Sequence, residues 1–211
     1  MLELFASAFV TLFVVIDPPG CAPIFAGLVS EASPRRQQRV AIRAAAVAFL
    51  ILLLFALFGE PLLAALHIEL DAFRIAGGIM LFVIAMEMVF ERRTQRREER
   101  AEKVRAAHEI DHEIEGVAIF PMAMPMLAGP GAIASVMLFM AQAQGLAASL
   151  AVLAALSAVM AVTLVALLAA TPLMRVFGRQ VESVITRLLG VLLAALAVQF
   201  VIDGVRGSFG S

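Results

Sequence analysis

Six long apolar runs leave this chain few folds to choose from. They lie at Leu2–Val29, about Val40–Phe58, Ala72–Phe90, Gly116–Met140, about Leu146–Val176 and Val184–Val205. A hydrocarbon core of about 30 Å takes roughly 20 helical residues to cross, and each run supplies them. Lipid offers no water to backbone amides and carbonyls, so each run must satisfy its own as a helix. Composition agrees: 62% of the 211 residues are hydrophobic and 16% charged, against about 45–50% and 25% in soluble domains. The expectation is an all-α polytopic membrane protein with six transmembrane helices. A net charge of −1 gives no basic field for nucleic acid. Cys21 is the only cysteine, which excludes an intramolecular disulfide and a cysteine-pair metal site. Tryptophan and tyrosine are absent, so Phe, Arg and Lys must anchor the interfaces. The start, Met1-Leu2-Glu3, has no basic n-region, and the run that follows has no Ala-x-Ala-like cleavage site, so the first segment is expected to be retained.

The first run contains an obstacle, Asp17-Pro18-Pro19-Gly20. Two prolines remove two backbone donors, and Gly20 tolerates angles closed to other residues. A carboxylate, a kink and freed carbonyls at bilayer depth are costly and mark a candidate site. A proline-kinked, lipid-facing helix is the plain alternative. The fourth run is interrupted in the same way, by Pro121, Pro125 and Gly129-Pro130-Gly131. Gly59-Glu60-Pro61 closes the second run, and Pro61–Leu66 reads as an amphipathic turn at the surface. Residues 91–115 form the one strongly polar stretch, a charged loop between halves 1–90 and 116–211.

Arginine placement gives an orientation. With the N-terminus outside, the loops carrying Arg35, Arg36, Arg39 and Arg43, the cluster from Arg92 to Arg105, and Arg175, Arg179 and Arg187 are cytoplasmic. Arg74 and Arg206 alone fall on the other side. Both termini are then periplasmic. The halves also superimpose in sequence. Asp17-Pro18-Pro19-Gly20 answers to Ala128-Gly129-Pro130-Gly131, Pro61 to Pro172, and Arg74-Ile75-Ala76-Gly77 to Arg187-Leu188-Leu189-Gly190. Three crossings per half make the second half inverted. Inverted repeats with interrupted helices at matching places point to a transporter site near the midplane.

Several strings resemble one family. Val15-Ile16-Asp17-Pro18-Pro19-Gly20 running on to Pro23-Ile24-Phe25, and Phe73-Arg74-Ile75-Ala76-Gly77-Gly78-Ile79, are similar to signatures of the MarC family of integral membrane proteins (UPF0056). So are the stretch from Ile119 through Pro121, Pro125 and Gly129-Pro130-Gly131 to Ile133, and Thr186-Arg187-Leu188-Leu189-Gly190 continuing to Gln199-Phe200-Val201-Ile202-Asp203-Gly204. The resemblance covers nearly the whole chain outside the charged loop. It implies a six-helix bacterial inner-membrane protein, some of whose relatives are described as transporters of alanine and glycine.

The residues offer two kinds of chemistry. Asp17 can cap the half-helix that starts at Pro18 or Pro19, or bind a cation or a substrate amine. Gly129-Pro130-Gly131 offers the free amides of a half-helix near Ala132, suited to a carboxylate. Gln199, uncharged and deep in an apolar run, can bond across helices. Gly77, Gly78 and Gly190 allow close helix approach. Arg74 and Arg187 are interfacial anchors, with gate salt bridges as the functional alternative, and Glu87 and Asp203 are read as interfacial. His108-Glu109-Ile110-Asp111-His112 matches the zinc-hydrolase pattern, but it lies in a charge-rich loop with no third ligand and no apolar face. The expectation is therefore a secondary transporter of small neutral solutes, not an enzyme. A channel-like or structural membrane protein is the alternative. The implied partners are membrane lipids and the solute, with Na+ or H+ as candidate coupling ions and a homo-oligomer as candidate assembly; no cofactor or metal is implied.

Overall fold

A computed structural model describes residues 1–30, 32–93, 95–96, 99 and 119–209. Their regular structure is helical throughout: α1 (Leu2–Ile16), α2 (Pro18–Leu28), α3 (Pro34–Ala65), α4 (Leu70–Val89), a π-helical segment (Ile119–Leu127), α5 (Pro130–Gln142), α6 (Leu146–Leu168) and α7 (Ala170–Phe209). Among the described residues, five stretches are long and apolar enough to cross a bilayer: Leu2–Leu28, α3, α4, α6 and Ser183–Phe209. The fourth run is split into the π-helical segment and the 13-residue α5.

Proline sets three of these boundaries. Pro18, Pro34 and Pro130 occupy the first turns of α2, α3 and α5, where the missing N–H would have had no helical partner. Pro121 and Pro125 sit four residues apart and remove donors from the segment before Gly129. That backbone winds more widely, with the Ala128 N–H bonded five residues back to the Ala123 carbonyl at 2.9 Å.

Two expected boundaries are corrected. Helix α3 does not stop at Gly59-Glu60-Pro61 but continues to Ala65. Pro61 and Leu57, the residue whose carbonyl it leaves unbonded, are both exposed, and Gly59 is buried against Met137. The helix ends instead in a left-handed cap: His67 has φ 55°, its N–H reaches the Ala64 carbonyl, and that of Ile68 the Leu63 carbonyl at 2.9 Å. Likewise Pro172 does not close the fifth run. The break falls at Ala169, and Pro172 lies in the first turn of a 40-residue helix, so the expected interruption between Val176 and Val184 is absent.

Packing interleaves the halves. Helix α2 lies on α6 and α7, and α5 lies on α3 and α4. The most extensive contact is α4 on α7. It is antiparallel: Asp71 meets Gly204 and Gly207, Gly78 meets Ala197 and Val201, and Met88 meets Gly190. Large apolar side chains such as Leu50, Phe58, Val83, Leu150, Val165 and Leu192 stay exposed, the surface lipid would cover. Three buried hydroxyls bond back one turn, Thr11 to Ser7, Ser135 to Gly131 and Thr163 to Val159, each at 2.8 Å, which satisfies them without water.

Candidate functional site

The first break is a cap built from its own sequence. Asp17 takes the left-handed conformation, φ 59°, ψ 64°, which a short polar side chain tolerates. Its N–H closes α1 on the Phe13 carbonyl at 2.9 Å, and its Oδ1 accepts from the Gly20 amide at 3.2 Å to open α2. A Cβ on residue 20 would lie 2.3 Å from Asp17 Oδ2. Glycine is needed there for room beside the carboxylate rather than for unusual backbone angles. Asp17 is only 1% exposed.

Breaking the helix also frees carbonyls at the end of α1. The Val15 carbonyl accepts a hydrogen bond from the Arg93 guanidinium, whose other nitrogen lies 3.0 Å from Met88 Sδ. The cation therefore sits against the negative end of the α1 dipole. At the second break Gly129 is extended and Pro130 starts α5, so helix geometry leaves the Gly131 and Ala132 amides without intrahelical acceptors. A Cβ on Gly131 would lie 2.5 Å from Ile84 Cδ1 and 3.2 Å from Val15 Cγ1. The last turn of α1 thus meets the first turn of α5.

A cavity of about 150 Å³ lies at this meeting point. Gly129, Pro130, Gly131 and Ala132 form one part of its lining, and Val15, Ile84, Met126 and Leu127 supply apolar walls. Glu87, Arg93 and Arg96 supply its charge. Glu87 Oε1 pairs with Arg96; the Glu87 side chain is 21% exposed and that of Arg96 63%. Beyond the end of α4, Glu91 accepts hydrogen bonds from Ser183 and from Arg187, whose Nη2 is 2.6 Å away. These two partners hold the Glu91 carboxyl below its ordinary pKa.

The expected site residues are thus divided. Gly129, Pro130 and Gly131 line the cavity, whereas Asp17, Pro18, Pro19 and Gly20 form the turn next to Val15 and are not among its lining residues. Gln199 is corrected: it is exposed on α7 and donates to Asp203 Oδ1 at 2.8 Å, one turn along its own helix, instead of bonding across helices. Gly77 faces α5 at Leu138, and Gly78 and Gly190 face each other's helices. Arg74 pairs with Asp71 at 2.7 Å, and Arg187 with Glu91. The expected histidine motif at 108–112 lies outside the described residues. Sequence reasoning missed Arg93, Arg96 and the role of Glu87; a carboxylate within an apolar helix was the available signal for the last.

Residues 2–209 match the MarC family integral membrane protein description. A UPF0056 membrane protein of Methanocaldococcus jannaschii is 37% identical over 98% of both chains. A UPF0056 membrane protein of Archaeoglobus fulgidus is 35% identical over 96% of this chain and 92% of its own length. The UPF0056 membrane protein YhcE of Escherichia coli is 30% identical over 95% and 91%. No solved structure matches the chain.

Proposed function

The chain belongs to the MarC family of integral membrane proteins, and within it we propose a secondary transporter of small neutral solutes, amino acids such as alanine or glycine, working by alternating access. The observation that carries this reading is the cavity where one broken helix from each half meets the other. Its size suits the solute: a void of about 150 Å³ holds roughly six non-hydrogen atoms, as an engineered cavity of that volume holds benzene. Alanine has that many. Charges of both signs and the free α5 amides suit a zwitterion.

The α4–α7 seam supports two inverted repeats of three crossings, with 119–142 as the broken fourth helix. Gly78 abuts the Ala197 carbonyl and Val201, while Gly190 abuts the Ala85 carbonyl and Val89. The differences 190 − 78, 197 − 85 and 201 − 89 each equal 112. One shift therefore turns the first contact into the second with the helices exchanged, as a two-fold axis in the membrane plane requires. The packing of α2 on α6 and α7, against α5 on α3 and α4, follows the same exchange. In this reading the arginine-rich mouth is cytoplasmic, both termini are periplasmic in a bacterial inner membrane, and Asp71–Arg74 and Glu91–Arg187 are the gate pairs on opposite faces.

Proteoliposomes test it. Saturable alanine or glycine uptake, stimulated by solute on the far side and driven by an imposed Na+ or H+ gradient, is the expected result. Unsaturable flux without that stimulation would indicate a channel, and no flux of either solute would overturn the proposal.

A further inference from the structure

We infer that Glu87 is the residue that recognises the solute's ammonium group, and that Arg96 is a resident counter-ion which the bound solute displaces. The inference rests on the transporter reading and assigns roles within its cavity.

The three charged residues of the lining are held very differently. Arg93 is fixed twice, to the Val15 carbonyl at the end of α1 and to Met88 Sδ. Removing it would uncap α1, so it belongs to the frame. Glu87 projects from the last turn of α4, which runs from Leu70 to Val89, and its side chain keeps about a fifth of its exposure. A carboxylate this withdrawn from water gains from a cationic partner. Its partner in the structure is Arg96, which comes from beyond the end of α4 and is 63% exposed. A pair with one end so well solvated adds little stability and exchanges readily. The carboxylate stays in the wall while its cation can swing into solvent. An ammonium entering the cavity offers Glu87 the same charge, and the freed Arg96 remains near the solute. The Gly131 and Ala132 amides of the same cavity then serve the solute carboxylate.

This assignment predicts unequal effects for the two ends of one ion pair, whereas loss of either end of a purely structural salt bridge would act alike. Wild type, Glu87→Gln, Glu87→Asp and Arg96→Gln would be purified and reconstituted. Alanine affinity and uptake would be measured, with propionate, which lacks the amine, as competitor. Glu87→Gln should weaken alanine by about 10- to 100-fold, the factor for a lost hydrogen bond to a charged group, and leave propionate competition unchanged. Glu87→Asp should recover part of the loss, and Arg96→Gln should leave alanine binding equal or tighter. Melting temperatures in detergent identify any variant that fails to fold. If Glu87→Gln transports alanine like wild type, or if Glu87→Gln and Arg96→Gln weaken it alike, the assignment falls while the transporter reading stands. If wild type moves neither alanine nor glycine, both fall.

Discussion

At the end of α4 a single residue both stops the helix and ties it to α7. Glu91 lies at φ 59°, with its N–H on the Met88 carbonyl at 3.2 Å, a position glycine would occupy without strain. Glycine would lack the carboxylate that accepts from Ser183 and Arg187. Because those partners, Ser183 first, depress the pKa below its ordinary 4.5, the clamp has a defined pH dependence. A carboxyl with a lowered folded pKa contributes fully above its unfolded value, and the contribution is lost as pH falls through the folded one. Melting temperatures of wild type and Glu91→Gln should therefore differ by a steady amount above pH 4.5 and converge in acid below it. A gap that widened in acid would refute the clamp. Nothing local to Glu91 in the sequence announces it, since Ser183 and Arg187 lie 92 and 96 residues away.

At the scale of elements, the breaks are made by side chains that replace missing backbone partners. Asp17→Ala removes the acceptor for the Gly20 amide and should cost about 0.5–2 kcal/mol. Asp17→Asn keeps an oxygen acceptor and tolerates the left-handed conformation, so it should stay close to wild type in detergent unfolding. If both variants lose the same stability, the charge and not the cap is what matters at this position. The cap was legible because Asp-Pro-Pro places an acceptor just ahead of residues without donors. Pro61 and Pro172 were misread for a related reason. A proline shows where a donor is missing, but whether the helix stops depends on whether the freed carbonyl can be left exposed, as at Leu57, or never needed the bond, as in the first turn of α7. Gln199 was misread because an apolar run does not say which face of its helix meets a neighbour.

Across the whole molecule, what the sequence conveyed was periodic or repeated: apolar runs, paired breaks, glycines at a nearly constant offset. What it withheld was contact between distant residues, of which Arg93 reaching the Val15 carbonyl across 78 positions is the clearest case. In the inverted-repeat reading, the seam between α4 and α7 refines the offset, since the counterpart of Gly190 is Gly78 and not Gly77. That refinement can be tested by adding one methyl group at a time. A Cβ on residue 78 would lie 2.8 Å from the Ala197 carbonyl oxygen, and one on residue 190 would lie 3.1 Å from that of Ala85 and 2.9 Å from Met88 Cβ. Backbone and Cβ atoms cannot swing aside, so Gly78→Ala and Gly190→Ala should each cost about 1–3 kcal/mol through overpacking. Gly27 in α2 is the control, because a Cβ there meets nothing within 4 Å. Gly27→Ala should gain up to about 1 kcal/mol from helix propensity. Comparable losses at 78 and 190 alongside a neutral or stabilised variant at 27 are the result expected of a two-fold seam. A loss at only one of the two would mean that the equivalence is one of sequence and not of packing, and the inverted-repeat reading would lose its strongest support.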